Sequence, residues 1–367
     1  MIFESIVFLY FIVFFISLFL LLYWWLTNPK DTYKRNLESY PFISILVAAR
    51  NEENNILNCL TAITKLNYPT DKYEVLVGND NSEDTTEQLI DLFIKDKNNF
   101  YKINIMENIG LAKGKANVLA HLAHKAKGEY FFITDADIQI PEFWVQSQLS
   151  NYTKGIGTVS GVTIVKGERL FDKLQSLDWV FAFGMIKLIS DKNMPVSAVG
   201  NNMSISRECY NSVGGYENIP FSITEDFELF RQVIRKEWNY KNLLNVDVLA
   251  YTKGIESFDK LILQRKRWMH GAMQLPPVLI ALLTLQALFF PFILVLLFLY
   301  PFYGIMAWAL KIVLQNSFNA LVLKRMNLNF ELLKYIFIYE IYSGILATTT
   351  LVYYWIPGKI VWKGRKY

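Results

Sequence analysis

The sequence predicts an α/β domain with a mainly parallel sheet, held between apolar helices at the N- and C-terminal ends. Three observations predict it. Short β-rich runs alternate with helical spacing between residues 40 and 270, nearly all the charge lies in that stretch, and the apolar excess lies outside it. Strand and helix alternating at this spacing imply parallel pairing with right-handed crossovers. Hydrophobic residues make up 53% and aromatics 16% of the 367 residues, high for a wholly soluble chain.

The first element is residues 5–26, which carry no charge and are rich in Phe, Leu, Ile and Val. At about 1.5 Å per residue such a helix spans roughly the 30 Å hydrocarbon core of a bilayer. Tyr23, Trp24 and Trp25 close it as an interfacial belt, and Lys30, Lys34 and Arg35 follow. Basic residues just after a span place that side in the cytoplasm. A cleaved signal peptide would need a basic start and a shorter apolar run, whereas the only early charge is Glu4. Residues 1–28 therefore read as an uncleaved anchor.

In the domain at 40–270, strands are predicted at residues 43–48, 73–78, 103–106 and 130–134, with helices at 54–64, 85–96 and 113–124 between them. In such sheets ligands bind beyond the carboxyl ends of the strands, where the polar clusters fall. No internal repeat or low-complexity segment is present. The two cysteines, Cys59 and Cys209, exclude a disulfide framework and suit a reducing compartment as small buried residues. The net charge of +4 suits contact with anionic lipid without requiring it.

The second apolar block occupies residues 275–357. No charge interrupts it before Lys311, and Pro291 and Pro301 offer places to kink or turn. Helices are expected at 277–299, 302–323 and 332–356, two or three of them crossing, with Lys324 and Arg325 marking a cytoplasmic return. The tail at 358–367 is basic. A full last crossing puts it outside, against the positive-inside rule, and a re-entrant or surface-lying helix keeps it inside.

Four clusters carry chemistry. Asn79-Asp80-Asn81-Ser82-Glu83-Asp84 ends a strand in a polar turn, where Asp80 can accept a hydrogen bond from a ligand and Asp84 can cap the next helix. Asp135-Ala136-Asp137 follows an apolar strand, and two such carboxylates call for a compensating cation. Mg²⁺ or Mn²⁺ holding a diphosphate is the usual solution, and a solvated loop is the plainer one. Thr224-Glu225-Asp226 opens an amphipathic helix at 227–236, where acids also serve as caps. Gln264-Arg265-Lys266-Arg267-Trp268 precedes the second apolar block, a natural place for a basic anchor. His121 and His124, at i and i+3, have no third ligand candidate.

Together these pieces resemble glycosyltransferase family 2, inverting enzymes with the GT-A fold. The resemblance covers residues 43–268. It rests on Ala49-Arg50-Asn51-Glu52-Glu53, the run 79–84, the run 108–117 ending in Lys115-Ala116-Asn117, Asp135-Ala136-Asp137, Gly200-Asn201-Asn202-Met203, Gly214-Gly215-Tyr216, Thr224-Glu225-Asp226 and Gln264–Trp268, in that order. The Q-x-x-R-W element beside apolar helices looks like cellulose and hyaluronan synthases and ceramide glucosyltransferases. Asn79 departs from the pattern, since the family often has an acid there.

The resemblance implies a nucleotide-sugar donor, with UDP expected, and a role for each site residue. Asp80 would hold the base edge, with Asn51 and Glu53 lining the same strand end. Lys115 would lie near the diphosphate, and Asp135 and Asp137 would frame it, Asp137 being the more direct contact of a divalent cation. Asp226 would take the proton from the acceptor hydroxyl, and Arg267 would stabilise the leaving nucleotide. Glu225, Gln264 and Trp268 would stand on the acceptor side. The expected acceptor is a lipid or lipid-linked molecule, or a glycan, and the expected location is the bacterial plasma membrane with the catalytic domain cytoplasmic. No nucleic-acid partner is expected. Processive polysaccharide synthesis is the alternative activity, and a non-catalytic membrane scaffold is the alternative of another class.

Overall fold

A computed structural model of the chain describes residues 2–28, 30–31, 34–358, 361–362 and 365–366. Of the basic tail, Lys359 and Lys363 lie outside the described residues. The segment expected to be an anchor forms helix α1 (Ile2–Thr27). Strand β1 (Ile43–Ala49), helix α2 (Ile56–Thr64), strand β2 (Tyr73–Asn79), helix α3 (Thr86–Ile94), strand β3 (Phe100–Asn104), helix α4 (Lys115–Lys125) and strand β4 (Tyr130–Asp135) follow in the expected alternation. β1 lies in register between β2 and β4, all three parallel, and β3 extends the sheet beyond β2. β1 and β2 are buried along almost their whole length, which their near-continuous apolar sequence requires of central strands covered on both faces. Gly78 lets α4 lie close to the sheet, because a Cβ there would fall on Val118.

Several boundaries shift by a residue or more, and two of the shifts have clear physical reasons. β3 ends at Asn104 instead of running 103–106. As an edge strand it is only partly buried, so its apolar pattern does not mark its limits. The helix expected from residue 54 begins at Ile56, because Asn51 adopts φ +52° and the Asn55 N–H closes a turn onto the Glu52 carbonyl.

The second half completes a mixed sheet. Helix α5 (Trp144–Leu149), strands β5 (Ile156–Ser160) and β6 (Val162–Val165), the long helix α6 (Leu170–Asp191) and strand β7 (Asn202–Ser206) lead through short helices α7 (Arg207–Ser212) and α8 (Gly215–Asn218) to helix α9 (Glu225–Arg235). Strands β8 (Asn239–Asn242) and β9 (Leu249–Thr252) precede helix α10 (Phe258–Ala272). The sheet order is β3-β2-β1-β4-β7-β5-β8, with β7 antiparallel to both neighbours, and β6 and β9 form a separate parallel ribbon.

The C-terminal block forms α11 (Pro277–Ala287), α12 (Phe289–Leu299), α13 (Pro301–Arg325), a 3₁₀ turn at Glu331–Tyr335 and α14 (Ile336–Trp355). α1, α13 and the last turn with α14 are long and apolar enough to cross a membrane, and α11 with α12 is a pair bent by 42°. The bend falls one turn before Pro291, which has no N–H for the Ala287 carbonyl and whose ring would clash with it. α1 joins this bundle: Tyr10 stacks on Phe292 with centroids 4.2 Å apart, and Trp25 meets Phe318 edge-on at 5.1 Å. Below them Lys187 of α6 pairs with Asp31 and Asp191, and Arg325 donates to the Asn28 carbonyl. The ends of α1 and α13 therefore meet on the same side, beside the sheet domain. α14 finishes against α10, where Lys266 Nζ donates to the Ile356 carbonyl at 2.7 Å.

Lys311 of α13 and Glu340 of α14 form a buried ion pair between two apolar helices. Removing one partner leaves an uncompensated charge, at a cost of about 3–5 kcal/mol, whereas an apolar pair of similar volume is often neutral. Glu340→Leu should therefore lower the thermal unfolding temperature in detergent markedly, and Glu340→Leu with Lys311→Leu should recover most of the loss. A double variant no more stable than the single would contradict this account.

Candidate active site

The site is built where the carboxyl ends of β1, β2 and β4 meet the start of α9. Its centre is Lys115, the first residue of α4, which reaches Asp135 Oδ1 at the end of β4 (2.5 Å) and Glu225 Oε1 at the start of α9 (3.0 Å). Burial would push the Lys115 ammonium down, but the carboxylates of Asp135, Glu225 and Asp226 outweigh it and hold the pKa well above the ordinary lysine value. Glu225 and Asp226 are neighbours in sequence and titrate in opposite directions. Burial opposes ionisation of Glu225, yet Lys115 and Arg267 hold its pKa below the usual value. Asp226 is raised, first by burial and then by the Glu225 charge. Two carboxyls driven apart in this way divide the labour of holding charge and accepting a proton.

Asp226 is fixed by backbone donors. The Gly200 N–H donates to Oδ2 (3.0 Å) and the Phe227 N–H to Oδ1 (2.8 Å). A side chain at residue 200 would fall on the Asp226 carboxylate, so the glycine of the 200–203 run is a steric requirement. Arg267, on α10, donates weakly from Nη1 to the Ile223 carbonyl (3.4 Å), which brings it to the segment leading into Glu225.

Asp137 lies two residues beyond Asp135 and is treated differently: Thr252 Oγ1 donates to its Oδ2 at 3.3 Å. The pair expected to share one cation is thus divided, with Asp135 held by Lys115 and Asp137 beside the β6–β9 ribbon. No group of three or more acidic, His or Cys side chains among the described residues is arranged to hold a metal ion. Any ion here would draw most of its ligands from the bound substrate.

A second cluster stands at the ends of β1 and β2. Asn51 Oδ1 accepts from the Glu83 N–H (2.8 Å), Glu53 Oε2 accepts from Thr85 Oγ1 (2.8 Å), and Arg50 Nη1 donates to the Asp80 carbonyl (2.7 Å). Asn51 and Glu53 thus brace the loop after β2, while the Asp80 side chain is buried at its root. Asp84 Oδ1 accepts from the Thr86 N–H (3.0 Å) from just outside α3, whose cap position is Thr85 instead of Asp84. Asn79 bonds Asn104 across to β3 and accepts from the Ser82 N–H, so an amide suits this position better than an acid. Beside this loop opens a cavity of about 470 Å³, lined by Arg50, Asn79, Asn81, Ser82, Glu83 and Asn104 among others. It adjoins Asp80 and not the Lys115 cluster.

The last cluster turns inward instead of lying on a surface. Arg265 pairs with Asp178 (2.5 Å) and sits 4.3 Å over the Trp268 ring, which meets Trp179 edge-on at 5.7 Å. Lys266 is buried. Trp268 therefore packs on α6, and Gln264 Oε1 is shielded from solvent without a protein partner among the described residues. His121 and His124 bond the Glu107 carbonyl and Glu217, and both cysteines are buried. Sequence reasoning missed Gly200 and Thr252 as site residues. The polar run Gly200-Asn201-Asn202 at the start of a buried strand was the available signal for the first, and Thr252 had none.

A family model for glycosyl transferase family 21 matches residues 7–367. Relatives include a probable glycosyltransferase, YdaM, of Bacillus subtilis, 26% identical over 66% of this chain and 57% of its own length. The beta-monoglucosyldiacylglycerol synthase of Trichormus variabilis is 27% identical over 67% of this chain and 52% of its own, and the poly-beta-1,6-N-acetyl-D-glucosamine synthase of Staphylococcus aureus is 25% identical over 64% and 56%. The chain thus spans little more than half the length of these relatives. Among solved structures, the mannosyltransferase PcManGT from Pyrobaculum calidifontis, in complex with GDP-Man and Mn²⁺, superposes with a TM-score of 0.61 at 17% identity, covering 94% of this chain and 97% of that one. That likeness shows the fold, which is GT-A. The motifs resembled family 2, and the expectation holds at the level of fold and transferase class. By the match over nearly its whole length, the chain belongs to glycosyl transferase family 21.

Proposed function

We propose that the protein transfers a sugar from a nucleotide-sugar donor to a lipid or lipid-linked acceptor at the cytoplasmic face of a membrane, with inversion at the anomeric carbon. The observation that carries this reading is the Glu225–Asp226 pair, one carboxyl held charged by Lys115 and the other raised and poised to take a proton. Asp226 accepts the proton of the acceptor hydroxyl as that oxygen bonds the anomeric carbon and the bond to the diphosphate breaks. Arg267 faces the leaving diphosphate, and Gln264 offers its shielded amide oxygen to an acceptor hydroxyl. Asp80, with the loop braced by Asn51 and Glu53, receives the base. The acceptor reading draws on the apolar helices packed against α10 and on the lipid-linked product named for the Trichormus relative.

A divalent cation fits the donor set, because Asp137 offers a hard oxygen and the single charge of Lys115, shared between Asp135 and Glu225, leaves the carboxylates under-compensated. Mg²⁺ or Mn²⁺ there would neutralise the diphosphate as it leaves, with Asp137 as its protein ligand. Purified full-length protein incubated with labelled UDP- and GDP-sugars and membrane lipid should give a labelled lipid of inverted configuration by NMR. Chelation, or Asp137→Ala, should lower turnover by at least about a hundredfold, roughly 2.7 kcal/mol of barrier. A product with retained configuration would sink the single-displacement reading, and full activity after exhaustive chelation would remove the cation.

A further inference from the structure

The cations of the site are unevenly engaged. Lys115 is held between two carboxylates, and Arg50 is bonded to the Asp80 and Asn81 carbonyls and paired with Glu83. A nucleotide-sugar brings the two negative charges of its diphosphate to a centre already rich in carboxylates. Lys253 is the exposed residue that follows β9, next to the Thr252 that bonds Asp137. Its Nζ donates at 3.0 Å to the Asn54 carbonyl, in the turn that also carries Asn51 and Glu53. It therefore spans from the ribbon beside Asp137 to the loop on the base side, the two places a nucleoside diphosphate must connect. Its backbone is anchored on either side, because the Lys166 N–H donates to the Thr252 carbonyl (2.8 Å) and the Ile255 N–H to Gln175 Oε1 (2.9 Å).

We propose that Lys253 is a binding residue for the diphosphate of the donor, moving from the Asn54 carbonyl to a phosphate oxygen when the donor enters. The inference rests on the nucleotide-sugar reading above. The physical ground is the difference between the two partners: a bond from an ammonium to a phosphate is assisted by both charges and is shorter and stronger than one to a neutral carbonyl. The exchange needs only a rotation of a flexible side chain, since the backbone on either side stays in place. With Lys253 bonded to Asn54, the two halves of the site are strapped together. With it on the diphosphate, the same side chain closes over the donor.

The test is binding of UDP, GDP, uridine and guanosine to the full-length protein in detergent, wild type against Lys253→Met and Lys253→Arg, by calorimetry. For whichever nucleotide the wild type binds, Lys253→Met should weaken the diphosphate at least about tenfold and change the matching nucleoside less than twofold. Lys253→Arg should keep most of the diphosphate affinity. In turnover, Lys253→Met should raise the donor KM more than it lowers kcat. An unchanged diphosphate affinity, or an equal loss for diphosphate and nucleoside, overturns the assignment and leaves Lys253 a structural strap, while transfer by the wild type still stands. A wild type that binds neither nucleoside diphosphate removes the donor reading itself, and Lys253 with it.

Discussion

Asp226→Asn is expected to abolish sugar transfer while leaving donor affinity nearly intact. The asparagine is isosteric, and its Oδ1 can still accept the Phe227 N–H, while the amide nitrogen that replaces Oδ2 leaves the Gly200 N–H without its acceptor. What is lost is the proton acceptor, whose contribution is typically about 10²–10⁴-fold, or roughly 3–5 kcal/mol of barrier. The wild type should show an acid limb in kcat/KM above the ordinary aspartate range, because burial and the Glu225 charge raise Asp226. Activity rises with pH through that limb as the carboxylate forms. Stability moves the other way. A carboxyl whose folded pKa exceeds its unfolded value binds its proton more tightly when folded, so its ionisation destabilises the fold as pH rises. The stability of Asp226→Asn relative to wild type should therefore improve as pH rises through that limb and worsen as pH falls through it. Near-normal turnover in a folded Asp226→Asn enzyme would falsify the base assignment.

Lys115→Met is expected to be the most damaging single change in the site. It removes the cation lying 2.5 Å from Asp135 and 3.0 Å from Glu225, leaving carboxylates crowded without compensation. Breaking such a partly buried network costs about 3–5 kcal/mol, less where solvent still reaches the groups. Glu225 should respond by taking up a proton, since Lys115 and Arg267 hold its pKa down. In the wild type that depressed pKa contributes stability above the ordinary glutamate range, lost as pH falls through the folded value. In Lys115→Met this contribution should disappear, so the variant should unfold early at neutral pH and differ least from wild type in acid. Glu225→Gln added to Lys115→Met should restore part of the stability without restoring activity. A Lys115→Met protein as stable as wild type across pH would show that the cluster does not depend on this charge.

How much of this was legible in the sequence depended on burial. β1, β2 and β4 announce themselves because central parallel strands must be apolar on both faces, and their polar ends then mark the site. β3 was misplaced by a few residues because an edge strand has no such constraint. Helix α6 was not foreseen at all: Asp172, Asp178, Lys187 and Asp191 look like a solvated surface, and only the folded chain shows them engaged with Arg169, Arg265, Asp31 and Asn28. The acids expected at the strand and helix ends lie there in the fold, but the division of their partners was not foreseen. That Lys115 takes Asp135 and leaves Asp137 to Thr252 depends on where α4 and β9 cross the strand end, which no local pattern encodes. Likewise, the basic run at 264–268 has the composition of a surface anchor. Its inward turn follows from Asp178 and Trp179, some ninety residues earlier in the chain.

The shared core of the membrane helices and the sheet domain has a consequence for handling the enzyme. Val159, Val162 and Ile164 of the sheet and ribbon, and Trp179, Val180 and Phe183 of α6, belong to one apolar cluster with Phe14 of α1, Ile293 of α12 and Phe318 of α13. Leu261 and Ile262 of α10, on the helix that bears Arg267, are covered by Ile336 and Tyr339. Cutting the chain near residue 273 to obtain a water-soluble catalyst would strip these faces bare. The polypeptide is one folding unit despite the two compositions written along it. Expression trials should keep every helix and look for the right amphiphile, not for a shorter gene.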